Sequence, residues 1–310
     1  MISHIKLKCP CRKKEELIIE HDSIKCSNIY CSHSKSSMAF QYINSKPILI
    51  SNYECETICN PKITSSAVIR RKPWQKRISS SLQVDEGKSH LNCQKFVSQL
   101  KDIENAKVLI IGSGDKGFGT DTLWNSKHIL KVGIDIYDSP TVDILCDAHN
   151  LPIQDQTFDG VWIQAVLEHV VDPQSVVAEI RRVLKPGGFV YSELPFMQQV
   201  HEGPYDFCRF TLGGHRFLFQ KYIELGSGRL GGPVDDMAWT IKYFFTAMTS
   251  YKFIGKFFEL IFRLIFLPIT PFINRRNKES YTGSYFFGQK SDNFKIRHKD
   301  LIKYYNKEND

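Results

Sequence analysis

The stretch Lys107-Val108-Leu109-Ile110-Ile111-Gly112-Ser113-Gly114-Asp115-Lys116-Gly117 decides the fold. Its first five residues read as a short buried strand, and three glycines in the next six positions turn the chain where a helix should open. Glycine is needed at such a bend because the backbone reverses sharply and a ligand must approach without meeting a Cβ. Asp135 closes the next apolar run, twenty-one residues after Gly114. A carboxylate there can accept both hydrogen bonds of a ribose diol. The pair indicates a nucleotide without saying which, because nicotinamide-dependent dehydrogenases share the spacing; a purely structural glycine turn is the plainer alternative.

Outward from the bend, apolar runs at 107–111, 130–136, 142–146, 161–163 and 189–194 read as buried strands. Between the last two, Val176, Val177, Ile180, Val183 and Leu184 share one face of a helix over 173–184. Short apolar strands separated by helices predict an α/β fold with a Rossmann-like doubly wound sheet. Residues 91–290 are assigned to this domain, with a helical, hydrophobic insertion at about 236–275. A cysteine-rich ribbon (1–59) and a basic linker (60–90) precede it, and a charged tail (291–310) follows.

Three further segments narrow the choice. Asp147-Ala148-His149-Asn150-Leu151-Pro152 ends the third strand. Phe158-Asp159-Gly160-Val161-Trp162-Ile163-Gln164-Ala165-Val166-Leu167-Glu168-His169-Val170 spans the fourth strand and the loop after it. Arg182-Val183-Leu184-Lys185-Pro186-Gly187-Gly188 turns into the fifth. In this order and spacing they resemble the class I S-adenosylmethionine-dependent methyltransferases, in their small-molecule branch, over about residues 105–195. The resemblance implies a last, antiparallel strand at 281–290 and S-adenosylmethionine as cofactor. It implies that Gly112 and Gly114 line the methionine portion, that Asp135 holds the ribose and that Ile136 packs on the adenine. Asp147 and Ala148 would meet the adenine amino edge, and Gln164 and Ala165 would close the pocket. One departure stands out: the family often carries an acid two residues before the first glycine, where this chain has Ile110. That removes an anchor for the methionine end and keeps open a catalytically silent scaffold.

Methyl transfer is an in-line displacement at a sulfonium, so the protein mainly positions the acceptor. An oxygen acceptor also has to lose a proton, a task for histidine or carboxylate. The run from Pro195 to Thr211 gathers His201, Glu202, Tyr205, Asp206 and Arg209 just past the fifth strand. Open α/β folds bind ligands at that end of the sheet. His201 is the expected general base, with Asp206 orienting it and Arg209 meeting an anionic part of the acceptor; His169 competes as base. The structural alternative has His201 capping the loop and Arg209 paired with Asp206 three residues away. This run also resembles a methyltransferase subgroup found alongside glycan assembly, which implies a small or lipid-linked, sugar-containing acceptor.

Six of the nine cysteines lie in the first 59 residues. Clustering, an odd total and the absence of an apolar leader before Cys9 favour metal ligation in a reducing, cytoplasmic setting over disulfides. Cys9, Cys11, Cys26 and Cys31 are the expected ligands of a structural Zn²⁺. The segment through Pro47-Ile48-Leu49-Ile50 resembles the ribbon of small methyltransferase-activator proteins. Its pairs are spaced by one and four residues, so Cys55, Cys59 or His33 are alternative ligands and a metal-free remnant stays open.

Residues 239–273 are densely apolar, with Lys252, Lys256, Glu259 and Arg263 forming one stripe on a helix. The longest uncharged run, 264–273, holds two prolines and is too short to span a bilayer. The helix is expected either on a membrane surface, peripheral at its inner face, or as a buried or homo-oligomer-forming cap. The net charge of +8, with six basic residues in 62–77, fits an anionic partner. RNA methylation is the rival function, although no aromatic-basic stacking platform is visible.

Overall fold

The apolar run before the glycine bend forms β5 (Ala106–Ile111), an interior strand of a seven-stranded sheet. A computed structural model describes residues 5–11, 13–20, 23–36, 39–50, 87–276 and 279–307. The neighbours of β5 are β6 (Ile129–Asp135) and β8 (Phe158–Gln164), both parallel to it. Beyond them lie the two-residue β7 (Ile144–Leu145) and the long β9 (Leu184–Pro195), also parallel. β11 (Gly283–Lys290) returns antiparallel on β9 and carries β10 (Tyr222–Leu230) at the far edge. The order β10-β11-β9-β8-β5-β6-β7 reverses direction between β5 and β8, so a crevice opens above their carboxyl ends.

Helix α1 (Lys88–Gln99) covers one face of the sheet; it begins inside the range assigned to the linker. Its apolar residues Cys93, Phe96 and Val97, followed by Leu100, pack on Ile110, Trp162 and Tyr191. The other face is covered by α3 (Pro173–Val183), capped by Asp172, which accepts hydrogen bonds from the Gln174 and Ser175 amides. The short α2 (Asp121–Asn125) follows the glycine bend.

On α4 (Leu212–Leu218) His215 is fully enclosed, its two ring nitrogens each 3.0 Å from a serine hydroxyl, Ser284 on β11 and Ser192 on β9. Burial drives its pKa down to about 3, so the folded state keeps the ring neutral. An unfolded histidine protonates near about 6.5. The unfolded chain therefore binds the extra proton below that pH, and stability falls from there as pH drops toward about 3. His215→Gln is expected to flatten the fall in urea midpoint between about pH 6.5 and 4; an unchanged slope would assign the acid sensitivity elsewhere.

The amino-terminal ribbon contains the hairpins β1–β2 (Leu17–Ile19, Ile24–Cys26) and β3–β4 (Tyr42–Ile43, Lys46–Pro47). It docks on the sheet edge. The Leu49 amide donates to the Leu145 carbonyl at 2.7 Å, Ile48 bridges β7 in parallel, and Lys46 pairs with Asp138. Cys55, Cys59 and the basic run at 62–77 lie outside the described residues.

The hydrophobic insertion is a helical hairpin, α5 (Pro233–Thr249) and α6 (Lys252–Phe266), followed by α7 (Thr270–Arg276). Its polarity is inverted. Arg263 is 6% exposed and pairs with buried Asp235 on α5 and with Glu259. Phe253, Phe257, Leu264 and Ile265 point outward, each more than half exposed. Gly255 permits the close helix contact, since a Cβ there would lie 2.1 Å from Thr246 Oγ1. Among the described residues no helix is long and apolar enough to cross a membrane. The last described helix, α8 (His298–Lys307), lies in the segment read as a charged tail.

Candidate active site

Gly112 adopts a φ of +75°, and a Cβ there would fall 2.1 Å from Val166 Cγ2. This bend therefore needs glycine on both conformational and steric grounds. Asp135 turns toward it from the end of β6: Gly114 N–H donates to Oδ2 (2.8 Å) and Tyr137 N–H to Oδ1 (3.1 Å). Burial raises the Asp135 pKa, against the pull of the Tyr137, Gly114 and Ile136 amides. A carboxylate offers about four acceptor sites, so the two amides leave capacity for a diol. A ligand has to meet Asp135 from beside the bend rather than between it and Gly114, since those two are in direct contact.

Ile136 is half-buried next to this carboxylate. Asp147 caps the turn Ala148–Asn150; its Oδ1 accepts the His149 amide and lies 2.6 Å from that ring's Nδ1. Part of the group expected at the adenine edge thus also braces the turn, and Ala148 is buried within it. Gln164 Nε2 donates to the Phe118 carbonyl (3.0 Å) and to Glu193 (2.6 Å), tying β8 to the loop after the bend. Ala165 follows with φ +54°, a left-handed conformation costing a non-glycine residue of order 1 kcal/mol. Ile110, standing where relatives often place an acid, is buried against α1. The buried acid Glu193 also accepts from Tyr191 Oη, which in turn accepts from Asn92. Sequence reading passed over Glu193, whose role depends on the β8–β9 register.

The loop after β9 folds back onto the loop after β8. Phe207 N–H donates to the Glu168 carbonyl (2.8 Å), and His169 Nδ1 lies 2.7 Å from the Tyr205 carbonyl. This brings His169 and His201 together, with Nε2 atoms 3.2 Å apart. Asp206 stands behind His201: Oδ2 accepts the His201 amide (3.0 Å) and lies 3.3 Å from Nδ1. Burial, then the neighbouring His169, lowers the His201 pKa. Burial would raise Asp206, but the Arg209 hydrogen bonds hold it below the usual carboxylate range.

Arg209 is engaged as the structural alternative has it, paired with Asp206. Its five N–H groups are directed at Asp206 and at the carbonyls of Gln198, Gln199 and Cys208, leaving none for an acceptor anion. It clamps the loop instead. The residue that sequence reading missed is Glu168, 1% exposed, whose carboxylate oxygens have no hydrogen-bond partner. Burial raises its pKa to about 8, against the weaker pull of its own nearby amide, which is not in hydrogen-bond geometry, and of the Arg209 charge.

In the ribbon, Cys9, Cys11, Cys26 and Cys31 are buried and free, with all four sulfurs within 4.8 Å of one another. The unequal loops thus converge on one point. His33 is outside this group and stacks on Phe40.

The strand order, the side-chain-free bend and the facing carboxylate define a doubly wound domain shaped for a nucleotide-bearing cofactor. Residues 111–192 match the methyltransferase domain family, and the resemblance to a methyltransferase thus rests on this segment. It is 31% identical over 140 residues to a demethylmenaquinone methyltransferase of Staphylococcus epidermidis, covering 43% of this chain and 56% of that one. A ubiquinone/menaquinone biosynthesis C-methyltransferase of Desulfotalea psychrophila is 52% identical over 44 residues, 14% of this chain and 18% of that one. The chain thus spans at most 56% of the length of these two curated relatives. A solved Haemonchus contortus phosphoethanolamine N-methyltransferase 2, in complex with S-adenosyl-L-methionine, is similar at 14% identity and a TM-score of 0.42. That likeness covers 65% of this chain and 52% of that one.

Proposed function

We propose that this protein methylates an oxygen of a small or lipid-linked, sugar-containing acceptor. The observation that carries the reading is the adjacency of two sets of groups at the carboxyl end of the sheet. Val166, which touches the Gly112 bend, is followed within three residues by His169, which meets His201. S-adenosylmethionine, when bound, supplies an electrophilic methyl carbon. Gly112 and Gly114 let Val166 and Asp135 close onto the bend, beside which the methionine portion lies; Asp135 grips the ribose, and Gln164 and Ala165 shape the wall. His201 accepts the acceptor's proton, oriented by Asp206 through Nδ1. His169 holds the His201 ring from the opposite side.

The inverted hairpin supports a lipid-linked acceptor. Its outward face is apolar, and Lys252, Lys256, Arg275 and Arg276 are exposed around it. Such a surface suits an anionic bilayer interface, inner leaflet included. The decisive experiment incubates the protein with labelled methyl donor and fractionated cell extract. Label is expected in the lipid or glycan fraction. Label confined to RNA would replace the substrate, and no incorporation with no donor binding would favour a silent scaffold.

The four ribbon cysteines fit a structural Zn²⁺. Zn–S bonds of about 2.3 Å in a tetrahedron place sulfurs about 3.8 Å apart, and Cys9 and Cys31 are at 3.9 Å. About one zinc per chain should be found by elemental analysis, and Cys26→Ser together with Cys31→Ser should lose it and lower the melting temperature. Metal-free protein with unchanged melting would leave the ribbon as a thiol-packed remnant.

A further inference from the structure

Three Lewis-basic atoms meet at the junction of the two loops. The Tyr205 carbonyl can only accept, so His169 Nδ1 carries a proton and its Nε2 presents a lone pair. His201 Nδ1 faces the carboxylate of Asp206, itself held by Arg209, which fixes the same tautomer. The two Nε2 lone pairs therefore oppose each other at 3.2 Å. Glu168 Oε1 lies 3.7 Å from one and 4.0 Å from the other, buried and without a hydrogen-bond donor. Such a convergence is repulsive unless a proton or a metal ion sits between the three atoms, and three ligand atoms of this kind suit either.

We propose that Glu168 Oε1, His169 Nε2 and His201 Nε2 bind a divalent transition-metal ion of the Mn²⁺, Fe²⁺ or Zn²⁺ class. The histidine–histidine edge of 3.2 Å falls within the roughly 3.0–3.4 Å separation of ligands held at about 2.1 Å from one ion, and the edges of 3.7 and 4.0 Å need Glu168 to draw in by about half an ångström. Both imidazoles have their far nitrogen backed by an oxygen acceptor, the outer-shell arrangement that orients metal-bound histidines. Two histidines and one carboxylate leave coordination positions open. These lie on the solvent side, where the rings are 23% and 26% exposed. They suit an oxygen-bearing ligand such as a hydroxyl. On the methyl-transfer reading above, the ion would bind the acceptor hydroxyl and lower its pKa so that its proton leaves to solvent water, and His201 would serve as a ligand in place of the base. Ion binding itself does not depend on that reading.

The test uses the full chain without methyl donor, supplied with a single equivalent of zinc, which the four thiolates take first, so that the histidine–glutamate site stays open. Mn²⁺ is then titrated in and free Mn²⁺ followed by electron paramagnetic resonance. One Mn²⁺ per chain is expected to bind, with affinity reduced about tenfold or more in Glu168→Gln and in His169→Ala. In the unaltered protein, spin-echo spectra of the bound ion should show imidazole nitrogen coupling, a readout that needs no variant. Mn²⁺ remaining free at millimolar concentration, or binding without nitrogen coupling, would overturn the site.

Discussion

Asp135→Ala is expected to weaken S-adenosylmethionine binding by at least about a hundredfold. A hydrogen bond to a charged group contributes about 1.5–3 kcal/mol, and a ribose diol would make two with this carboxylate. The same change strips the Gly114 and Tyr137 amides of their acceptor, so the bend itself should loosen. Asp135→Asn separates the two effects, because the amide oxygen can still accept from the backbone while the charge is gone. Calorimetric titration with S-adenosylmethionine or S-adenosylhomocysteine on both variants is the measurement. A dissociation constant unchanged in Asp135→Ala would remove the ribose from this carboxylate and leave only the fold.

The second large effect concerns the hairpin. Phe257→Asp with Leu264→Asp is expected to abolish co-sedimentation with anionic liposomes while leaving the melting temperature nearly unchanged, because both side chains face outward. Each removes an apolar group whose burial is worth about 1.5–3 kcal/mol, so partitioning should fall more than a hundredfold. Phe258 would be a poor choice, since its ring stacks on Phe245 at 3.7 Å and belongs to the packed interior of the hairpin. Unaltered protein that ignores liposomes but elutes as a dimer, and becomes monomeric on the same double substitution, would make a second copy the cover for this face.

The parallel core was legible because each strand carries its own apolar run and each turn its own punctuation. β10 was not. Its Glu224-Leu225-Gly226-Ser227-Gly228-Arg229 stretch is polar and glycine-rich, as an edge strand can be. Helix α1 was hidden by the basic stretch before it, although Cys93, Phe96, Val97 and Leu100 already hold a helical period. In the site, Gly112, Gly114 and Asp135 could be placed from sequence, since a bend and a strand end are local features. Glu168 could not. What makes it unusual is burial beneath a loop some forty residues downstream, closed by Arg209 gripping Asp206. The charged stripe on α6 was found, but the direction it faces depends on Asp235, twenty-eight residues before Arg263.

The strand-like contact of Leu49 with Leu145 has a consequence for how this chain can be handled. A core cut free of its first fifty residues would present β7 as a raw selvage, its carbonyls and amides turned to water and ready to zip onto any extended peptide. Such a fragment should precipitate or form adducts on expression, whatever its capacity for chemistry. The cysteine-rich leader and the catalytic domain are therefore one unit of solubility, and dissecting them calls for point changes rather than scissors.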